Sequence, residues 1–189
     1  YTSVASHSES PEKVETTSLV LLGIFQDAGS PQIGCQKECC AALFEAPDAR
    51  RKVISLGLVD TENHKTYLFE ASPDIGAQMK QLSRLEPRDS RELADGIFLT
   101  HAHIGHYTGL MYLGKEAMNA RHTPVYSMPR MREYLSGNGP WSQLVQDGNI
   151  ALHPLEDGRA VELSPAIRVT PFLVPHRDEY SETVGYRIE

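Results

Sequence analysis

Residues 100–110 read Thr-His-Ala-His-Ile-Gly-His-Tyr-Thr-Gly-Leu and hold three of the chain's eight histidines within six positions. The apolar run Gly96-Ile97-Phe98-Leu99 leads directly into them, and Leu110, Met111, Leu113, Ala117 and Met118 follow at helix-like intervals. The pattern predicts a buried strand over residues 95–100, a helix over residues 107–120, and three imidazoles at the junction. Neutral imidazole is the commonest metal ligand, because one ring nitrogen can bind the ion while the other is held by a neighbouring acceptor. In an extended or turning segment, residues i and i+2 project to the same side. His101 and His103 can therefore grip one ion, and His106 can return to it as the chain turns into the helix. One histidine would read as surface decoration; three at this spacing read as a metal site.

The 189 residues, 40% of them hydrophobic, suit one globular domain. A net charge of -7 gives no general attraction to nucleic acid, so an anionic substrate would have to be held locally. No run of about 18 apolar residues is present to span a membrane. The chain begins at Tyr1, so a cytoplasmic location and export after removal of a signal are both open.

All three cysteines lie together as Cys35, Cys39 and Cys40. An odd number at such close spacing makes a poor disulfide framework; a structural zinc or a set of buried or free thiols fits better. A fourth ligand for such a zinc would come from elsewhere, with His122, His153 or an acid as candidates.

Residues 1–16 are rich in Ser, Glu and Thr and nearly free of large apolar side chains, which predicts a flexible leader with the domain occupying 17–189. Strands are expected over residues 17–25, 52–59, 65–70, 124–127, 150–153, 160–163 and 167–174, the second and third as a hairpin. Ser72 with Pro73 at the first helical position predicts a helix carrying Ile75, Met79 and Leu82 on its buried face. Short helices are expected over residues 40–44, 129–135 and 141–145. His7 and His64 read as solvated.

A strand, then His-x-His-x-x-His, then a helix resembles the metallo-β-lactamase superfamily. The segment Val174-Pro175-His176 with Thr183-Val184-Gly185-Tyr186 is similar to that family's second ligand segment, and the stretches around Asp27 and Asp74 look like those of the pyrroloquinoline quinone biosynthesis protein B branch. The resemblance, over residues 19–189, implies an α/β fold, an αββα sandwich here without the family's C-terminal strands. Either the chain is a fragment, or a homo-oligomer or partner chain supplies them, since an open sheet edge and face are unfavourable. It implies a metal held by His101, His103 and His176, and a structural zinc at Cys35, Cys39 and Cys40. The superfamily pattern is His-x-His-x-Asp-His, and this chain has Gly105 where the second metal's aspartate stands.

A zinc with three protein ligands keeps a position open for water, which predicts hydrolysis of an ester, amide, lactone or phosphodiester in a small-molecule substrate. Iron or manganese also suits such ligands. His106 would bind a second metal, position the water or shuttle a proton. Glu70 and Asp74 are candidate acids behind the ligands, Asp74 equally a helix N-terminal acid. Asp27 reads as a pocket residue or a turn former, and Arg177 as an anion holder or an exposed arginine. Two other readings stand beside hydrolysis: an iron-dependent oxidation factor in cofactor maturation, and a non-catalytic metal-binding protein.

Overall fold

A computed structural model describes residues 13–87 and 94–189. Six strands form one sheet in the order β1 (Ser18–Gly23), β2 (Ser55–Asp60), β3 (Lys65–Phe69), β4 (Gly96–Phe98), β5 (Thr123–Ser127) and β6 (Ile150–Pro154). The pairs β1–β2 and β2–β3 are antiparallel; β3 to β6 run parallel. The remaining strands β7 (Val161–Ser164), β8 (Ile167–Leu173) and β9 (Val184–Ile188) make an antiparallel sheet of three.

Strand periodicity divides the interior into two cores. Val59, Leu68 and Ile97 project toward helix α2 (Ile75–Leu85), while Leu58, Phe69 and Phe98 project toward Ile167, Val169 and Val184 of the smaller sheet. Strands buried on both faces carry unbroken apolar runs rather than alternation, which is why Gly96-Ile97-Phe98-Leu99 is readable as a strand. Helix α2 buries Ile75, Met79, Leu82 and Leu85, one stripe at 3.6-residue spacing. Its one buried polar side chain is satisfied: Gln78 donates to the Val53 carbonyl (2.7 Å) and accepts from Ser72 Oγ (2.7 Å). Helices on one face of the large sheet and the small sheet on the other give the mixed α/β layering of an αββα sandwich. No helix among the described residues is long and apolar enough to cross a membrane.

Two expectations are corrected. The first is the start of α2 at Ile75, two residues past Pro73. Ser72 does act at this end, its Oγ accepting from the Asp74 N–H (3.1 Å). The second concerns residues 107–120, which are not one helix: α3 (Ile104–Tyr107) gives way to a 3₁₀ turn (Thr108–Leu113) and then to turns. Gly109 explains the break. Its N–H donates to Ala71 O (2.8 Å) instead of continuing the helical ladder, and a Cβ there would stand 2.1 Å from Ser72 O. Most of the expected leader, residues 1–12 with His7 among them, lies outside the described residues; within it the Val14 N–H donates to Leu85 O (3.2 Å) and the Val14 side chain packs on the helix-side core. The short helices α1 (Glu38–Glu45), α4 (Pro129–Gly137) and α5 (Trp141–Gln146) match expectation within a few residues.

Candidate metal centre

Three strand ends meet at the histidines. β4 delivers Thr100 and His101. The β8–β9 loop, which carries His176, is stitched to that strand end: Val184 N–H donates to Thr100 O (3.2 Å), Ala102 N–H to Ser181 Oγ (2.8 Å), and the Tyr186 hydroxyl to Leu99 O. The end of β3 is tied in through Ala71 N–H to His106 O (2.9 Å) and Glu70 N–H to Phe98 O (2.9 Å).

This places one nitrogen from each of His101, His103 and His176 within 4.8 Å of the others. His103 Nε2 donates to Glu179 Oε2 (3.0 Å), which leaves Nδ1 as the lone-pair nitrogen, 3.2 Å from His176 Nε2. His101 Nδ1 is held by Thr100 Oγ1 (2.8 Å), while its Nε2 is buried without a hydrogen-bond partner. Two nitrogens bound to one tetrahedral zinc at about 2.05 Å stand about 3.3 Å apart, so the 3.2 Å pair has the right bite. Burial, then the neighbouring histidines His106, His103 and His176, pull the His101 pKa down to about 3, against a weaker opposing effect of Asp178. The ring is therefore neutral at pH 7, the form that binds metal. A buried orphan nitrogen, three converging imidazoles and two anchored ring backs fit a divalent cation.

His106 stands apart from that triad. Its ring centroid is 4.2 Å from that of His101, but its Nδ1 faces Glu70 Oε2 at 3.4 Å, an ion-pair contact too poorly directed to count as a hydrogen bond. Burial alone would lower its pKa; contact with Glu70 and the charges of Glu70 and Asp27 outweigh this and raise it. Glu70 itself is buried, with φ +76, a conformation that costs a non-glycine residue about 1–3 kcal/mol and that clusters at functional sites.

Asp74 does not serve the histidines. Its carboxylate accepts from Val53 N–H (2.8 Å) and lies 3.7 Å from Lys52 Nζ, tying α2 to the approach to β2. Asp27 and Arg177 both line an open cleft of about 660 Å³ with His103, Glu179, Tyr134 and Tyr180. Arg177 is exposed and 3.9 Å from Glu179. The cysteines do cluster, with Sγ–Sγ distances of 4.0 Å from Cys35 to Cys39 and from Cys39 to Cys40, close to the ~3.8 Å of two thiolates on one tetrahedral zinc. The proposed fourth ligands sit elsewhere: the His122 ring lies over Gly148 and the His153 ring against Tyr126. Among the described residues no further donor joins the three thiols. His64 is exposed but not merely solvated, its Nδ1 lying 2.9 Å from the buried Glu86 carboxylate.

Sequence reasoning missed Glu179, Thr100 and the tyrosines of the cleft. Glu179 carried the one usable signal, an acid three residues past His176.

The beta-lactamase superfamily domain profile matches residues 65–189, two thirds of the chain and all four histidines. The chain belongs to this superfamily. It is 25% identical to the coenzyme PQQ synthesis protein B of Methylobacterium radiotolerans over 160 residues, 83% of this chain and 52% of that protein. The protein of the same name from Nitrosococcus oceani is 27% identical over 193 residues, 89% of this chain and 61% of that one. The chain thus spans about half to three fifths of these relatives. Among solved structures, Zn(2+)-bound PqqB from Methylobacterium extorquens superposes with a TM-score of 0.72 at 26% identity, covering 90% of this chain and 61% of that one. A diphosphatase of the PhnP family superposes with a TM-score of 0.61 at 23% identity over 90% and 61%, a likeness of fold.

Proposed function

We propose that this chain is a metal-dependent hydrolase acting on a small molecule with an ester, lactone, amide or phosphodiester bond. The observation that carries the reading is the convergence of His101 Nε2, His103 Nδ1 and His176 Nε2 beside a cleft of about 660 Å³. His101, His103 and His176 would hold the ion, and zinc is the first choice for three imidazoles; the zinc in the PqqB neighbour supports it. When bound, such an ion supplies Lewis acidity and lowers the pKa of water toward ~7.

The chain's own groups do the rest. Thr100 and Glu179 fix which nitrogen of His101 and of His103 is left for an ion. The Glu70 carboxylate, 3.4 Å from His106 Nδ1, favours a proton on that nitrogen by its charge, which would leave Nε2 to accept or return one. Arg177 supplies positive charge at the cleft for an anionic substrate, and Tyr134 and Tyr180 give it apolar walls. The cysteine triad would hold a separate, structural zinc.

A second reading, a step in cofactor maturation with iron in the histidine site, is favoured by the relatives' name, coenzyme PQQ synthesis protein B. Elemental analysis of the purified protein separates zinc from iron, and a screen with phosphodiester, lactone and β-lactam reporters tests hydrolysis. Retention of full metal content and full activity by His101→Ala would sink both readings.

A further inference from the structure

We infer that Asp27, from a loop outside the histidine motif, supplies the carboxylate that the motif lacks at Gly105 and so pairs with His106 at the superfamily's second metal position; the inference rests on the metal-site reading above.

The starting point is Gly105, between the two halves of the histidine motif. A Cβ on Gly105 would stand 2.2 Å from Asp27 Cβ, 2.5 Å from its Cα and 2.6 Å from its carbonyl oxygen. The loop between β1 and α1 is therefore seated directly on the backbone between His103 and His106, at a distance that only glycine permits. A carboxylate from a remote loop enters the motif at the point where the motif itself has no side chain.

That carboxylate is not used up by local structure. The turn around it is closed by its neighbour: Gln26 Nε2 donates to Gly29 O (2.9 Å), Gln26 Oε1 accepts from Ala28 N–H (3.1 Å), and Gly29 N–H donates to Gln26 O (3.0 Å). The Asp27 side chain takes no part in closing the turn, and among the described residues its carboxylate makes no hydrogen bond or ion pair. It is half-buried and lines the same cleft as His103.

His106 presents the matching donor. With Nδ1 directed at Glu70, its available nitrogen is Nε2, on a ring 4.2 Å from His101. Asp27 packs directly on Gly105, the residue before His106. One imidazole and one carboxylate, completed by water, suit zinc or manganese. Hydrolytic two-metal sites place their ions about 3.5–4 Å apart, a spacing that adjoining histidine rings can supply. With two protein donors against three, the Asp27–His106 position is the weaker one.

The test counts zinc ions per 189-residue chain by elemental analysis after equilibrium dialysis over a range of free zinc, with folding checked by circular dichroism. Any cysteine-bound ion is common to all variants and cancels. Asp27→Asn keeps the packing on Gly105, and should hold one ion fewer than wild type, or hold the weaker one at least about tenfold less tightly, with the tighter histidine ion retained. Removing the partner donor, His106→Ala, should lose the same ion while the tighter histidine ion is retained. Identical ion counts and affinities in wild type and Asp27→Asn overturn the assignment and leave the triad intact. A His101→Ala variant that keeps every ion would instead overturn the metal-site reading beneath it.

Discussion

Replacing Gly105 by alanine adds one methyl group, and the structure fixes where it goes. Carbon atoms in contact prefer about 3.5–4.0 Å, so a Cβ 2.2 Å from Asp27 Cβ demands a displacement of at least about 1.3 Å. Side-chain rotation gives no relief, because the other close atoms are the Asp27 Cα and carbonyl oxygen. Neither backbone is free to retreat. His106 N–H donates to His103 O (2.9 Å) and Ala71 N–H to His106 O (2.9 Å), while Gln26 locks the opposing turn. Alanine would otherwise favour the helix by up to about 1 kcal/mol, so the sign of the effect is decided by the clash. Overpacking of this kind costs about 1–3 kcal/mol, or about 2–12 °C in Tm for a chain of this size. The assay is urea unfolding of Gly105→Ala in excess chelator, so that lost metal does not contribute. Gly76→Ala is the control: Gly76 lies in α2 with nothing within 4 Å of the added Cβ, and the change should stabilise by about 0.5–1 kcal/mol. Adding Asp27→Gly to Gly105→Ala should recover only part of the loss, since the contacts with the Asp27 backbone remain. An unfolding midpoint for Gly105→Ala at or above wild type would refute the claimed seating of the loop.

Phe98→Ala removes a fully buried ring stacked between Tyr126 (centroids 4.3 Å apart) and Phe69 (5.0 Å); a loss of about 3–5 kcal/mol in chemical unfolding is expected, and less than about 1 kcal/mol would contradict the two-core reading of β4. Glu179→Gln should weaken the tighter metal position about 10–100-fold in a chelator competition while leaving the apo protein's stability nearly unchanged; equal loss of both would mean a folding role. Gln78→Ala leaves the Val53 carbonyl and Ser72 hydroxyl without their partner and should cost about 1–3 kcal/mol, measured by the same unfolding assay. Cys39→Ser should lower the zinc content by one ion with the histidine-bound ion unaffected, and unchanged content would remove the structural-zinc proposal.

The strand ending at His101 was legible because it is buried on both faces, and a continuous apolar run flanked by histidines has few other readings. His101 and His103, two residues apart, were legible locally as a donor pair, whereas His176 was reached only through the resemblance of its segment to the superfamily's second ligand segment; the structure brings the three side chains together. What the sequence hid is long-range. Nothing in the order of residues says that Gly109 will donate to Ala71 rather than to its own helix, so the predicted helix over residues 107–120 runs too long. Asp74 reads as an acid near the site because it follows Glu70 closely, yet its carboxylate is drawn to Val53, 21 residues away in sequence. Gly105 reads as a missing carboxylate, whereas in three dimensions it makes room for one. Local spacing reveals ligands; the residues that orient them come from strands whose pairing has to be seen.

Glu70 shows how that orientation is held. It ends β3 in a conformation that costs about 1–3 kcal/mol, and its side chain is almost wholly buried. Such a residue persists only when its surroundings over-determine it, and here they do. Its N–H is fixed to Phe98 O of the neighbouring strand, and the next residue, Ala71, both donates to His106 O and accepts from Gly109 N–H. Relaxing φ at Glu70 would swing Ala71 and break two of those bonds, at about 0.5–1.5 kcal/mol each, before any gain in metal binding were counted. The strain is thus sustained by the same clamp that seats His106, and the carboxylate arrives beneath His106 Nδ1 as a consequence of sheet register rather than of side-chain freedom. A glycine at position 70 would relieve the backbone and lose the acid; a strained glutamate in its place argues that the acid, and not the turn, is what the end of β3 delivers.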